Sequence, residues 1–378
     1  MNPKTTNRRS FLQVTALALA LLPGALLADD NAWNRAAVYT MDNATNGNHV
    51  LAYQRAENGS LTPSGVIFTG GTGTGTGLGN QGSVVLTRDG RWLFACNAGS
   101  QEISVFEVTP HGLTLTDKVS SEGQRPVSLA LHRNLLYVLN AGGAMGGADN
   151  ITGFLFAYGK LTHCPGSTRA LSASNTGPAQ VSFTRNGDVL VVTEKATGVI
   201  NTFTVGGDGL VDKHKMFASP VPTPFGFAVG HESRLFVSEA NGGAADASSV
   251  SSYEVSDEGD LTSISSVVPT MESAACWVVL TRNERYAYAS NTGSGTISGF
   301  GVSKDGALQL LNADGITGRI GAGTKPIDLA LTRDSRYLYS LNSGDGTLSA
   351  FRVNANGSLA ALPGLSGIPA GANGLAAR

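Results

Sequence analysis

Charge is what this sequence has least of: Asp, Glu, Lys and Arg make up 14% of its 378 residues, and their signs nearly cancel at −2. So small a net charge raises no field to gather nucleic acid or an anionic lipid surface, and neither is expected as a partner. Cysteine is scarce as well. The three present (Cys96, Cys164 and Cys276) form no CxxC pair and are an odd number, so they read as small buried residues, not a disulfide framework. Beyond residue 28 there is no long apolar run, which leaves no expected membrane insertion. No stretch of the chain keeps a helical period, and neither GxSxG nor HExxH occurs. The six histidines (His49, His111, His132, His163, His214 and His231) are scattered, which argues against a triad or a zinc site. No metal and no cofactor is assigned.

What the chain does have is a leader and a great deal of glycine. Arg8-Arg9-Ser10-Phe11-Leu12 opens an apolar run from Val14 to Leu22, broken by Pro23-Gly24 and closed by Ala28. A basic start, a short apolar core and a small final residue describe an export signal over residues 1–28, and the paired arginines resemble the twin-arginine type. The expectation is therefore a periplasmic or secreted protein with one domain, residues 29–378. Its 49 glycines, without a collagen period, suggest many tight turns.

Those turns recur. Leu86-Thr87-Arg88 is echoed by Leu131-His132-Arg133, Phe183-Thr184-Arg185, Val229-Gly230-His231, Leu280-Thr281-Arg282 and Leu331-Thr332-Arg333. The spacing is about 50 residues, and each unit holds four short runs rich in β-branched and aromatic residues. Four strands at that period make a propeller blade. At the amino end, Ala36 to Asp42 matches a second strand whose first strand is missing. Pro369 to Arg378 matches the missing piece, with Arg378 at the anchor. The predicted fold is an all-β, seven-bladed propeller of four-stranded antiparallel blades, the first blade closed by the C-terminal strand and its exposed edge thereby paired.

Two registers are expected near the mouth of the central channel. One closes the second strand of each blade: Asp42, Asn97, Asn140, Glu194, Glu239, Asn291 and Asn342. Asn and Asp there also suit capping of the following turn, whereas Glu194 and Glu239 suit it less and are the better functional candidates. The other lies five residues before the anchor and comprises Ser83, Ser128, Gln180, Gly226, Trp277, Asp328 and Asn373. Arg125 and Lys325 sit just upstream at equivalent places, where two cations facing two glutamates would bind an anionic or hydroxylated small molecule, or would pair with those glutamates instead. Gly77 to Gly82 matches GxGxxG but precedes a strand, so Thr69 to Gly82 reads as a flexible inter-blade loop, conceivably a lid, and not as a phosphate cradle.

The runs LLYVLNAGG from Leu135, GPAQVSFTRNGDVLVVTEKATG from Gly177 and AACWVVLTRNERYAYASNTGSGTISGF from Ala274 resemble the lactonase family of seven-bladed propellers. That family includes propeller-type 6-phosphogluconolactonase and a carboxymuconate-lactonising enzyme, and the likeness is greatest to exported members labelled 3-carboxymuconate cyclase. The resemblance implies lactonase or cycloisomerase chemistry with Glu194 retained as its acid or base. It also shows departures: Gly177-Pro178 continues with Ala179-Gln180 where the enzymes have Arg and His, and Ser128 replaces a further His. Two functions stay open: an exported lactonase-like enzyme acting on a small lactone, and a non-catalytic propeller binding a small ligand or a protein through its loop face. Either would be a monomer.

Overall fold

The computed structural model describes residues 36–378, so the expected leader at 1–28 lies outside the described residues. The described chain forms seven antiparallel sheets arranged as a ring. Blade 1 is the composite one. Its strand β1 (Ala37–Met41) pairs on one side with β2 (His49–Arg55) and on the other with β30 (Asn373–Ala377). Tyr39 lies opposite Ala376 and Met41 opposite Asn373, so the carboxyl end supplies the innermost strand as the repeat requires.

The other inner strands are β4 (Val84–Leu86), β8 (Pro126–His132), β13 (Pro178–Phe183), β17 (Pro224–Val229), β21 (Ala275–Leu280) and β26 (Pro326–Leu331), which begin blades 2 to 7. Blades 3 and 6 each carry one extra two-residue strand on their third strand. Because a sheet has two faces and each meets a neighbour, the core lies in the seams. Phe94 and Val105 of blade 2 pack on Leu136 and Phe154 of blade 3. Val189 and Val191 of blade 4 pack on Phe227, Leu235 and Val237 of blade 5. Burying a side chain of this size contributes roughly 1.5–3 kcal/mol.

Two repeated devices explain the sequence echo. Tyr137, Tyr288 and Tyr339 are fully buried, and a buried phenol needs a partner. Each hydroxyl donates to a glycine carbonyl in a turn of the next blade: Gly209 at 2.9 Å, Gly357 at 2.8 Å and Gly59 at 2.7 Å. In the turn after the inner strand, a Thr hydroxyl donates to the Asx two residues on: Thr87 to Asp89, Thr184 to Asn186, Thr281 to Asn283 and Thr332 to Asp334, at 2.5–2.9 Å. The anchor arginine is the residue between them, exposed at the end of the channel where the inner strands finish. All three cysteines are buried and unpaired.

Candidate functional site: a plugged channel mouth

The register that closes the second strands lies in the seams, not in the channel. Only the inner strand of a blade borders the channel, so both faces of the second strand look toward neighbouring sheets. Asn97 takes hydrogen bonds from Thr69 at 2.7 Å and Asn48 at 2.9 Å, both of blade 1, and donates to Ser104 of its own blade. Asn140 donates to the Ser121 carbonyl of blade 2. Glu194 is fully buried and accepts four hydrogen bonds: from the Ser172 amide at 3.0 Å and hydroxyl, from Thr197 at 2.5 Å and from Asn201 at 2.8 Å. Ser172 belongs to the connection leaving blade 3, so the Glu194 carboxylate clasps two blades with all its acceptor sites engaged.

The rest of the register stays within its own blade. Asn291 and Asn342 bond third-strand hydroxyls, and Asp42 caps the Ala44 and His49 amides and meets the His49 ring at 2.9 Å. Glu239 is buried with one oxygen bonded to Ser249 and the other, Oε1, without a partner. Burial pushes its carboxyl up to about 7.

The register five residues before the anchor does border the channel, and it laces neighbouring inner strands together. Ser128 Oγ accepts the Val181 amide at 3.2 Å. The Gln180 amide spans to blade 5, donating to the Phe227 carbonyl at 3.0 Å and accepting its N–H at 2.7 Å. Asp328 accepts the Leu329 amide at 2.8 Å and leaves Oδ2 buried without a partner, and burial raises its carboxyl well above the usual range. Gly226 has no side chain to offer blade 6.

That vacancy is filled from elsewhere. The segment from Gly77 to Gly82 crosses the mouth as a plug. Gln81 donates to the Val278 carbonyl at 3.0 Å and faces its N–H at 3.3 Å, doing for blade 6 what Gln180 does for blade 5. A Cβ on Gly226 would stand 2.1 Å from Gln81 Oε1 and 2.6 Å from the Cys276 carbonyl, which is why glycine is required there. Further bonds pin the plug around the ring. The Trp277 indole donates to the Asn80 carbonyl at 2.7 Å, and Ser128 donates to the Gln81 carbonyl at 2.6 Å. The Gln81 amide reaches Ala179 at 3.0 Å and the Leu78 amide reaches Asn373 at 3.1 Å. The expectation of a flexible loop over Thr69 to Gly82 is therefore corrected: fixed polar partners on blades 1, 3, 4 and 6 hold it. Two of its amides, those of Leu78 and Gln81, are spent on protein acceptors, and the segment opens no helix, so the phosphate cradle that GxGxxG would need is not formed.

One of the plug's partners on blade 4 is a cation. Lys195 follows Glu194, lies over the Phe225 ring at 4.7 Å and donates through Nζ to the Gly79 carbonyl. Burial, reinforced by nearby Arg125, lowers its ammonium to about 8. Arg125 holds a buried Nε without a partner, and Gln124 Oε1 and Asn80 Oδ1 are buried and unpartnered too. Lys325, at the equivalent place on blade 7, is exposed. Arg125 and Lys325 both enter their inner strands with positive φ, 54° and 50°. Lys195 escaped the sequence argument, although a signal existed. The position after each second-strand closure reads Asn43, Ala98, Ala141, Lys195, Ala240, Thr292 and Ser343, and only one of these carries charge. Among the described residues no group of three or more His, Cys, Asp or Glu gathers in one place.

Seven antiparallel sheets, a ring closed by β30 and a polar, plugged mouth define a closed seven-bladed propeller. A family model described as "Lactonase, 7-bladed beta-propeller" matches residues 32–144 and 220–318. The chain belongs to that family. It is similar to a 6-phosphogluconolactonase of Pectobacterium atrosepticum, 23% identical over 282 residues that cover 72% of this chain and 80% of that one. Among solved structures it is similar to a putative 6-phosphogluconolactonase from Bacteroides fragilis (TM-score 0.69, 18% identity, 93% of this chain and 100% of that one). It is also similar to the periplasmic gluconolactonase of Pseudomonas aeruginosa (TM-score 0.70, 14% identity, 90% and 98%). Identities this low carry the fold alone.

Proposed function

We propose that the protein is an exported lactonase-like hydrolase that opens a small lactone at the plugged mouth, with Lys195 as the group that stabilises the transition state. The observation that carries this reading is the Lys195 ammonium, held over the Phe225 ring and donating to a carbonyl oxygen, Gly79 O, across the mouth. A donor set to receive a carbonyl oxygen is what the tetrahedral oxyanion of ester hydrolysis requires, and in a site shielded from water it acts strongly. The lactone carbonyl takes the place of the Gly79 carbonyl once the plug shifts, and Arg125 offers its free Nε to an anionic or hydroxyl substituent. Family membership and the lactonases among its relatives support the reaction class. The leader at residues 1–28 supports export.

The protonated amine does the work in this scheme, so kcat/KM should fall as pH rises through about 8. A lysine acting as general base would give the opposite slope. The test is turnover of gluconolactone and its 6-phosphate by the purified protein above the spontaneous rate. Lys195→Met should lower kcat/KM at least 100-fold, the range seen when one oxyanion donor is removed. No turnover by the wild type, or equal turnover by Lys195→Met, refutes the proposal. The many bonds that close the mouth favour a second reading, a propeller that binds a ligand or a protein without turning it over, and an inert wild type would favour it.

A further inference from the structure

The inner strands run from the plug toward the anchor turns, six residues or so, which sets the two channel ends roughly 20 Å apart at 3.3 Å per residue. At the far end lies a cavity of about 880 Å³. Arg88, Arg133, Arg185 and Arg333, the anchors of blades 2, 3, 4 and 7, all line it. Arg282 and Arg378 occupy the same register on blades 6 and 1, and His231 completes the seven. Among the described residues none of the six anchor arginines is within salt-bridge distance of a carboxylate, although Arg91, Arg234 and Arg319 elsewhere are.

Three acids at this end accept hydrogen bonds from the chain itself. Asp89 accepts from the Thr87 hydroxyl and the Arg91 amide, and Asp334 from the Thr332 hydroxyl and the Arg336 amide. Glu284 holds the His231 amide. Asp188 lies near His132, whose ring is kept less basic than usual by burial first and then by the Arg133 and Arg88 charges. Like charges converging on one cavity repel, and a ligand with several negative groups would relieve that repulsion. Leu86, Leu131, Phe183 and Val229 give the wall apolar stretches between the arginines, beside polar Ser182 and His132 and the single lining carboxylate, Asp89. Each guanidinium presents a planar fork that matches a carboxylate or phosphate edge, and at Arg88, Arg185 and Arg333 the Thr–Asx bond fixes the backbone carrying it. The volume falls in the small-ligand range.

We propose that the channel end opposite the plug is a second binding site, specific for small polyanions that carry two or more carboxylate or phosphate groups on an apolar body. It is separate from the lactonase site and independent of it. Both carboxylate and phosphate suit the arginine forks, and the apolar stretches of the wall favour a polycarboxylate with an aromatic or alicyclic body.

Calorimetric titration of the purified protein tests this, with trimesate as the polycarboxylate, tripolyphosphate as the polyphosphate and benzoate as the singly charged control. At least one polyanion should bind ten times or more tighter than benzoate, and the tighter of the two identifies the anion class. The affinity should fall as salt is added. Arg133→Gln combined with Arg185→Gln should weaken binding at least tenfold, while Arg125→Gln, at the plugged end, leaves it unchanged. Both arginines of the double variant are exposed turn residues, so it should retain the wild-type circular dichroism spectrum and melting temperature without ligand. Polyanions no tighter than benzoate, or equal loss in Arg125→Gln and the double variant, would overturn the assignment.

Discussion

Replacing Gly226 with alanine tests whether the plug is part of the fold. The added Cβ would stand 2.1 Å from Gln81 Oε1, closer than any real contact, so the Gln81 amide must leave Val278. Its departure strands a buried backbone carbonyl and N–H, each costing about 1–2 kcal/mol if left unpaired. Crowding against the rigid Cys276 carbonyl, 2.6 Å away, adds about 1 kcal/mol or more. Gly226→Ala should therefore destabilise by about 3–5 kcal/mol. Gln81→Ala loses the same two bonds without the crowding, about 2–4 kcal/mol. Once Gln81 is shortened, the alanine at 226 has space on that side, and only the Cys276 contact remains. The double variant should thus be about 2 kcal/mol more stable than the sum of the single effects predicts. Urea denaturation of the four proteins in a double-mutant cycle measures this coupling. Additivity to within about 0.5 kcal/mol would show that Gln81 and Gly226 do not share this space, and the plug as described would fall.

Two further outcomes follow from the buried groups and the ring closure. Glu239 holds its proton to about pH 7 in the folded chain, against about 4.5 when free, so the unfolded state releases it first and stability is lost as pH rises from 4.5 through 7. Glu239→Gln should escape that loss and be more stable than wild type at pH 8 by about 2–3 kcal/mol, with little difference at pH 4. Equal denaturation midpoints at pH 8 would contradict it. Removing residues 373–378 takes away the inner strand of blade 1, including the buried Asn373, Leu375 and Ala376 and the pairing with Tyr39 and Met41. The loss should exceed about 4 kcal/mol and expose the β1 edge. A melting temperature unchanged by the truncation would refute the closure.

The ring was legible because its evidence is repetition: the Thr-Arg-Asx turn, the buried tyrosine and the split first blade each recur or complete one another at a fixed spacing. The site was harder to read, for physical reasons. The Asn and Glu register was located correctly along the strands, yet a second strand has sheets on both sides, so its side chains enter seams and Glu194 becomes a clasp. Gly77 to Gly82 has the composition of a free loop. What fixes it is a non-local exchange in which Gln81 supplies the amide that Gly226 lacks, and the two lie far apart in the chain. Ser128 and Gln180 lie on inner strands, and their partners are backbone groups that no side-chain pattern announces. The anchor arginines marked the repeat so plainly that their shared position at one end passed as a ruler and not as a surface.

The join between β1 and β30 also bears on when this protein can become itself. Thr40 and Asn373, bonded at 3.3 Å, are 333 residues apart. Bringing together points that distant costs roughly 5 kcal/mol in chain entropy by the logarithmic loop law. Until that pairing forms, the first sheet lacks its inner strand and the ring stays open. An open ring presents the bare β1 edge, a template on which a strand of another chain can pair, so docking a strand 333 residues distant also withdraws that template.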